Sequence, residues 1–360
     1  MSAEFTPFGL PALLAQVDEV HGSPNCKIEI CCTAHTSPAI RRLVKSVIRG
    51  LKACQEPEHT EGGMGGTYFF MNEMGRKQAI LKPCDEEPLA PNNPKGYVGR
   101  ALGDPGWKPT VRVGEAAMRE VAAYLLDHDS FAKVPTSVLV RARHPVFCYN
   151  SKMNSVRQSS SLDLAGAGAG LELSPPEQSL LLPMKLGSLQ EFVHHQCDTS
   201  EMGPSRFSAS DVHRIGIFDV RLFNTDRHAG NMLVRVSKDS RCNLRAVGVE
   251  QYELIPIDHG FCLPETLEAP YFEWLHWPQT LTPFTDEEVL YIRNLDVEVR
   301  TGFCVGVLCW CACPAVTSAS PPNPVPAPSL HPRPTNSCCR RSYRTCAQSA
   351  CASWRCLLSC

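Results

Sequence analysis

Apolar residues recur at helical spacing between residues 40 and 51. They fall at i, i+3, i+4, i+7, i+8 and i+11, which predicts one apolar stripe on an α-helix. Five basic residues lie at other positions of the same segment. The apolar set is Ile40, Leu43, Val44, Val47, Ile48 and Leu51, and the basic set is Arg41, Arg42, Lys45, Arg49 and Lys52. Such a helix packs its stripe on a protein core, or it lies on an anionic membrane surface. We favour the core.

The next pattern indicates a small antiparallel sheet. Residues 67–70 and 79–82 are aromatic and aliphatic runs, and a polar Asn-Glu-Met-Gly-Arg turn separates them. A glycine-rich turn, Glu-Gly-Gly-Met-Gly-Gly, precedes the first run at residues 61–66. Glycine and asparagine between runs of this kind are typical of a strand meander.

Later segments alternate between helical and strand patterns. Residues 115–129 and 211–222 each carry an apolar stripe at helical spacing, and short apolar runs at 232–234 and 254–257 read as strands. An apolar strand before residue 188 continues into the crossover Ser-Leu-Gln-Glu-Phe-Val at residues 188–193. A crossover of this kind suits a hinge between two lobes, where backbone groups can pair with an adenine edge.

Composition divides the chain at about residue 304. The 360 residues have a net charge of −2, so bulk charge argues against nucleic-acid binding. Ten of the 19 cysteines and none of the lysines or acidic residues lie in residues 304–360. Eight prolines fall within residues 314–334, and no periodicity is present. We therefore expect residues 301–360 to be a disordered Cys/Pro/Arg-rich tail, and an aberrant C-terminus produced by a retained intron or a frame error is an equal alternative.

Targeting signals are not evident in the sequence. The run 303–316 is 14 residues long, and a membrane-spanning helix needs about 20. The N-terminus has no basic start before its apolar stretch, so we expect a cytoplasmic protein with reduced cysteines.

The glycine-rich turn is a candidate phosphate-binding element. Glycine lets backbone N–H groups approach phosphate oxygens closely, and Lys82 on the following strand adds a positive charge. The spacing departs from that of a P-loop, since Lys82 lies 16 residues after Gly66. A plain hairpin is the alternative for the turn alone.

A second candidate set lies at the ends of the two later strands. The loop Asn-Thr-Asp-Arg-His-Ala-Gly-Asn spans residues 224–231, and Asp258 precedes a glycine turn. Asp226, Asn231 and Asp258 can together hold Mg²⁺ through hard oxygen ligands while Asp226 faces an attacking hydroxyl. Any one of these residues, taken alone, is typical of a loop Asp or Asn that caps a turn. The three residues in this order along the chain, after a glycine-rich hairpin and a lysine on a strand, together indicate phosphoryl transfer.

These motifs resemble the phosphatidylinositol 3-/4-kinase superfamily, and most closely its plant gamma, type II-like, phosphatidylinositol 4-kinases. The matching runs cover roughly residues 55–300 and are Ile80–Pro88, Gly187–Val193, Phe223–Asn231, Ile257–Gly260 and Tyr271–Gln279. The order Asp-Arg-His-x-x-Asn differs from the His-Arg-Asp loop of protein kinases, and Asp-His-Gly stands in place of Asp-Phe-Gly. The likeness stops near Val299, where the family continues with further helices, so activity is less firmly implied than ancestry.

The resemblance implies an α+β, two-lobed kinase-like fold. The N-lobe, about residues 55–187, would hold an antiparallel sheet and a helix; the hinge would span 188–193; the mostly helical C-lobe would span 194–300. Residues 1–54 would be an N-terminal extension with the amphipathic helix, and about 151–178 a surface insertion.

The resemblance also assigns roles to residues. The turn would cover the ATP phosphates, Lys82 would contact them with Glu120 as its partner, and the hinge would hold adenine. Asp226 would orient or deprotonate the inositol hydroxyl, Arg227 and His228 would shape the loop, and Asn231 and Asp258 would bind Mg²⁺. The implied ATP contacts are Gly62, Gly63, Gly65, Gly66, Thr67, Tyr68, Lys82, Gln190, Glu191, Phe192, Val193 and Asp258.

The function expected is an ATP- and Mg²⁺-dependent 1-phosphatidylinositol 4-kinase that is peripherally associated with membranes. One alternative is a Ser/Thr protein kinase on the same scaffold. Another is an inactive relative that acts as a binding module. Tyr271, Phe272, Trp274 and Trp277 follow the Asp258 loop, and they are equally suited to membrane headgroups or to the core.

Overall fold

The computed structural model describes residues 26–31, 36–149, 182–237 and 251–295. The predicted tail at 301–360 and the predicted insertion at 151–178 lie outside these residues. The chain divides into two compact units: unit 1 comprises residues 1–117 and 135–193, and unit 2 comprises residues 118–134 and 194–360.

Unit 1 is built on a six-stranded sheet. Its strands are β1 (Lys27–Ile30), β2 (Glu58–His59), β3 (Tyr68–Met71), β4 (Lys77–Pro83), β5 (Ser137–Arg143) and β6 (Lys185–Glu191). The order across the sheet is β1-β5-β6-β4-β3-β2, and every neighbouring pair is antiparallel. The predicted meander is present as β3 and β4, where Leu81 faces Tyr68 and Lys82 faces Ser188 of β6.

Helix α1 (Pro38–Lys52) packs on this sheet. Ser37 caps it by accepting the N–H of Ile40 at 3.3 Å, and the apolar stripe is buried. At Gly50 the helix approaches β3 so closely that a Cβ atom would lie 1.9 Å from the carbonyl oxygen of Met71, so only glycine fits. The apolar stripe therefore serves the core. The described parts of residues 1–54, β1 and α1, belong to unit 1 and do not form a separate extension.

Unit 2 combines helices with short strands. Its helices are most of α2 (Ala116–Leu126), α3 (Ala209–Leu222) and α4 (Asp286–Arg293), and α4 begins with a capping box between Thr285 and Glu288. Its strands are β7 (Cys197–Asp198), β8 (Asp226–Arg227), β9 (Met232–Val236), β10 (Tyr252–Pro256) and β11 (Tyr271–Phe272). The chain is thus α+β, as predicted.

Both tryptophans of the segment after Asp258 belong to the core of unit 2. Trp274 and Trp277 are 8% and 6% exposed and pack with Ile215, Val234 and Leu254. The indole N–H of Trp274 donates to Asp219 at 2.9 Å. Of the two alternatives for these tryptophans, the structure supports the core, because a buried indole with a satisfied N–H has no free edge to offer a membrane.

No helix in the described ranges is both long enough and apolar enough to cross a bilayer.

Candidate active site

The residues that follow β8 and β10 come together around one buried arginine. Arg227 is fully buried, and its guanidinium binds Asp219 of α3 at 3.0 Å. Its Nη1 donates to the carbonyl oxygens of Asn231, at 2.6 Å, and Ile257, at 2.7 Å. Arg227 therefore ties the 226–231 loop to the residue immediately before Asp258, and its burial leaves it no direct path to a substrate.

The hairpin of β9 and β10 explains why this join forms. Met232 pairs with Pro256, so the chain before β9 and the chain after β10 lie at the same end of the hairpin. The N–H of Ile257 donates to the carbonyl oxygen of Asn231 at 3.0 Å. Asn231 and Asp258 are thereby held as neighbours by backbone geometry.

The side chain of Asn231 is held by one hydrogen bond. Its Nδ2 donates to the carbonyl oxygen of Asp226 at 3.0 Å, which fixes the amide. Its Oδ1 accepts no hydrogen bond from the described residues. Asp258, with φ at 54°, and Asp226 are both half-buried. Two carboxylates and an amide oxygen match the hard oxygen ligands of Mg²⁺, which usually takes few protein ligands and completes its shell with phosphate oxygens and water.

His228 is exposed at the edge of this loop. Its Nδ1 accepts the N–H of Gly230 at 3.1 Å and caps the single turn 229–231. That contact fixes the backbone of the turn, and a catalytic role for His228 stays a prediction.

Glu120 of α2 holds the other side of Asp258. It is 2% exposed, and it accepts the backbone N–H of His259 at 2.7 Å and contacts the ring Nδ1 at 3.2 Å. Glu120 is therefore a positioning group for the Asp-His-Gly turn. Its pairing with Lys82 stays a prediction.

In unit 1, Lys82 and Ser188 lie opposite each other on one face of the sheet. The paired strands place Ile80, Lys82, Ser188 and Gln190 on this face, since side chains alternate between faces along a strand. Ser188 is 1% exposed, and its hydroxyl makes no hydrogen bond to the described residues. A buried hydroxyl without a partner is costly.

Tyr68 lies on the opposite face. Its register with Leu81 turns the side chain away from Lys82, and its hydroxyl donates to buried Glu86 at 2.6 Å. The tyrosine is 1% exposed. The Tyr68 side chain thus belongs to the core of unit 1, and an ATP contact by the backbone of this residue stays a prediction.

The glycine-rich turn joins β2 to β3 and is fixed by contacts from residues 84–97. The N–H of Gly66 donates to the carbonyl oxygen of Glu86 at 2.9 Å, and a Cβ on Gly66 would lie 2.1 Å from the Glu86 carboxylate. Gly63 has φ at 72°, a value that favours glycine. Gly62 and Gly65 complete the turn, and Thr67 bonds back to Thr60 at 2.9 Å.

Two residues that the sequence had not marked clamp this turn. Asn93 is buried, and its Nδ2 donates to the carbonyl oxygens of Met64 at 2.9 Å and of Glu86 at 3.1 Å. Lys95 donates from Nζ to three successive carbonyl oxygens of the turn, those of Glu61, Gly62 and Gly63. These contacts draw the carbonyl groups to one side.

The predicted hinge is only partly available to a nucleotide. Gln190 and Glu191 belong to β6, and the amide of the Gln190 side chain donates to Ser137 at 3.0 Å. The N–H groups of Glu191 and Phe192 donate to the carbonyl oxygens of Thr136, at 2.8 Å, and Gln78, at 2.9 Å. These two N–H groups therefore already have partners within unit 1, and adenine binding by residues 190–193 stays a prediction.

The chain matches a family model over most of its length. Residues 63–318 match the family described as "Phosphatidylinositol 3- and 4-kinase". The chain belongs to the phosphatidylinositol 3- and 4-kinase family. The kinase-like fold follows from this membership, and the α+β structure agrees with it.

Plant members of this family are clearly similar to the chain. "Phosphatidylinositol 4-kinase gamma 6" of Arabidopsis thaliana is 48% identical over 270 residues, which cover 75% of this chain and 40% of the relative. "Phosphatidylinositol 4-kinase gamma 7" of the same plant is 49% identical over 270 residues, 75% of this chain and 38% of the relative. "Phosphatidylinositol 4-kinase gamma 4" of Oryza sativa subsp. japonica is 38% identical over 273 residues, 73% of this chain and 40% of the relative. The chain spans about two fifths of the length of these curated relatives.

Proposed function

We propose that this chain is a lipid kinase that transfers the γ-phosphate of ATP to the 4-hydroxyl of phosphatidylinositol. The observation that carries the proposal is the arrangement of Asp226, Asn231 and Asp258 around Arg227 at one end of the β9–β10 hairpin. The choice of phosphatidylinositol as the acceptor, and of position 4 on the inositol ring, rests on the names of the relatives at 48% and 49% identity.

Asp226 acts on the acceptor in this proposal. The inositol hydroxyl oxygen forms a bond to the γ-phosphorus, the bond from that phosphorus to the β,γ-bridging oxygen breaks, and ADP leaves with the electron pair. The hydroxyl proton passes toward the Asp226 carboxylate. Because the transition state is loose, the protein contributes mainly by holding donor and acceptor in line.

Asp258 and Asn231 would hold Mg²⁺, with Asp258 supplying the formal charge. A bound ion would supply positive charge that offsets the charge of the phosphates. Glu120 and Arg227 keep these two ligands in place through the backbone contacts of His259, Ile257 and Asn231. Preorganisation of this kind reduces the rearrangement needed at the moment of transfer.

Unit 1 supplies the nucleotide-binding groups. Lys82, on the face of the sheet that also holds Ser188, contacts phosphate oxygens. Gly62, Gly63, Gly65 and Gly66 present a turn with little side-chain bulk, so phosphate oxygens can approach its backbone.

The test uses purified protein, labelled ATP and Mg²⁺, with phosphatidylinositol vesicles or protein acceptors. The proposal predicts label in the lipid, at the 4-position when the product is separated from its positional isomers. Label in protein alone would favour the Ser/Thr kinase alternative. Nucleotide binding without any transfer would favour a binding module.

We further propose that the protein acts in the cytoplasm as a peripheral membrane enzyme, because its acceptor stays in the bilayer. Cell fractionation tests this. The protein should sediment with membranes and be released by washing that leaves integral proteins in place.

A further inference from the structure

The exposed side of α1 carries a dense group of positive charges. At 100° per residue, Arg41, Arg42, Lys45, Arg49 and Lys52 fall within an arc of about 100°. All five side chains are exposed, and the buried apolar stripe lies on the opposite side of the helix. Helix α1 contains no acidic residue. The arc, which we call the basic face of α1, runs for about 16 Å along the helix axis.

The charges of this face are largely unneutralised. Arg49 lies 3.4 Å from Glu73, and both side chains are more than half exposed, at 62% and 53%. An exposed pair of this kind contributes little. The other four residues form no ion pair with any carboxylate in the described parts of the chain. Four cations within one arc repel each other unless an external anion compensates them.

A cavity of about 490 Å³ opens beside this face. Arg42, Lys45 and Arg49 line one side of it, and Gln78 and Glu191 lie at the ends of β4 and β6. Ser46 of α1 donates to the side-chain oxygen of Gln78 at 3.1 Å within the cavity wall. Its volume falls in the range that small polar ligands occupy. Glu191 is the one acidic residue in the lining, so three cations face one carboxylate and the cavity keeps a net positive charge that suits a phosphorylated headgroup.

We propose that the basic face of α1 docks the protein on an anionic bilayer, with a lipid headgroup phosphate entering the adjoining cavity. The proposal rests on the proposed function, which requires work at a bilayer that contains an anionic acceptor lipid. A straight row of cations on a rigid helix matches a flat anionic surface, and each Lys or Arg near such a surface adds to the attraction. Since the apolar stripe is buried in unit 1, docking is electrostatic and adds no insertion of α1 into the acyl region.

The deciding experiment measures co-sedimentation of the full chain with vesicles. One set is neutral phosphatidylcholine, and the other also contains phosphatidylserine. We expect binding to the anionic vesicles only, and loss of that binding in high salt, because salt screens exposed charges. The variant R41Q/R42Q/K45Q should bind roughly a hundredfold more weakly.

Two matched variants control for net charge and for folding. R76Q/R206Q/R293Q removes three exposed charges that are scattered over both units and should bind as the wild type does. R41K/R42K/K45R keeps the charge of the face and should also bind normally. Equal losses in the first control and in R41Q/R42Q/K45Q would overturn the proposal, as would equal binding to neutral vesicles. Tighter binding to a duplex oligonucleotide than to anionic vesicles would also overturn it.

A kinase assay in neutral detergent micelles separates this proposal from the proposed function. With a small mole fraction of phosphatidylinositol in such micelles, R41Q/R42Q/K45Q should keep wild-type turnover, because isolated anionic headgroups do not form the extended anionic surface that the basic face of α1 binds. Salt-sensitive binding to anionic vesicles by a protein that phosphorylates no lipid would contradict the proposed function and leave the docking surface standing. Loss of micelle activity in R41Q/R42Q/K45Q with normal vesicle binding would contradict the docking role.

Discussion

Arg227 is the residue on which the geometry of the candidate active site depends most. It is fully buried and binds one carboxylate and two main-chain carbonyl groups from separate parts of unit 2. A buried ion pair that loses one partner leaves a desolvated charge behind. The arrangement of Asn231 and Asp258 therefore depends on a side chain that cannot itself reach a substrate.

We expect Arg227→Ala to lower the free energy of unfolding by about 3 to 5 kcal/mol, because Asp219 would be buried without its partner. Chemical denaturation measures this. Arg235→Ala is the control, since Arg235 pairs with Glu253 at 2.6 Å but is 32% exposed, and it should cost less than about 1 kcal/mol. Equal costs for the two variants would contradict the role assigned to Arg227.

Sequence patterns predicted a catalytic role for the loop at residues 224–231 but missed the buried carboxylate that anchors it. Asp219 lies four residues after Ile215 and three before Leu222, so helical spacing alone places it on the buried stripe of α3. An acidic residue on a buried stripe requires a buried partner, and that signal was present. The sequence did not show which residue the partner is, because Arg227, Trp274 and Asn224 reach Asp219 through tertiary contacts.

At the scale of elements, the glycine-rich turn is held by a side chain outside it. Asn93 fixes the turn by donating to the carbonyl oxygen of Met64. We expect Asn93→Ala to speed amide hydrogen exchange in residues 61–66 about tenfold, because the turn would lose about 1.4 kcal/mol of local stability. Exchange measured by mass spectrometry tests this. Asn72→Ala, in the β3–β4 turn, should leave residues 61–66 unchanged, and unchanged exchange in the Asn93 variant would contradict the clamp.

The start of α2 depends on a buried carboxylate. Glu87 accepts the N–H groups of Gly114 at 2.8 Å and Ala117 at 3.1 Å, and burial raises the pKa of this carboxyl to about 7. The folded protein thus holds the proton more tightly than the unfolded chain, in which the pKa is near 4.5. The contribution of Glu87 to the free energy of unfolding therefore falls as pH rises through this interval.

We expect wild type to lose about 1 to 3 kcal/mol relative to Glu87→Gln between pH 4.5 and pH 7. Unfolding of both proteins by denaturant at a series of pH values measures the difference, and pH effects shared with other groups cancel. Glu287→Gln, an exposed change in α4, should track wild type. A wild-type protein that gains stability relative to Glu87→Gln over this interval would contradict the account.

The elements themselves were largely predictable, because periodicity reports burial directly. The stripes of α1 and α3 and the runs of β4, β9 and β10 match the structure closely. Two features could not be predicted from the sequence pattern. The face on which Tyr68 lies is set by register with Leu81, and the burial of Trp274 and Trp277 is set by packing against α3. Neither register nor long-range packing is readable from a local pattern.

At the scale of the whole molecule, helix α1, which precedes the glycine-rich turn in the chain, is part of unit 1. Val47 of α1 is fully buried on the sheet. We expect Val47→Asp to lower the free energy of unfolding by about 3 kcal/mol or more, because it buries an unpaired charge. Lys45→Asp, exposed on the same helix, should change the free energy of unfolding by less than about 1 kcal/mol, and similar thermal unfolding of the two variants would contradict the packing of α1.

The central claim is that Asp258 binds the metal in a working kinase, and the most direct test is lipid kinase activity of Asp258→Asn. Phosphatidylinositol phosphorylation should fall about a hundredfold or more, because a preorganised charge at the metal is lost. Asp129→Asn is the matched control: this exposed aspartate of unit 2 has φ at 58°, close to the 54° of Asp258, so the backbone demand is the same. The account predicts full activity in Asp129→Asn and near loss in Asp258→Asn. Equal activity in both variants would contradict it.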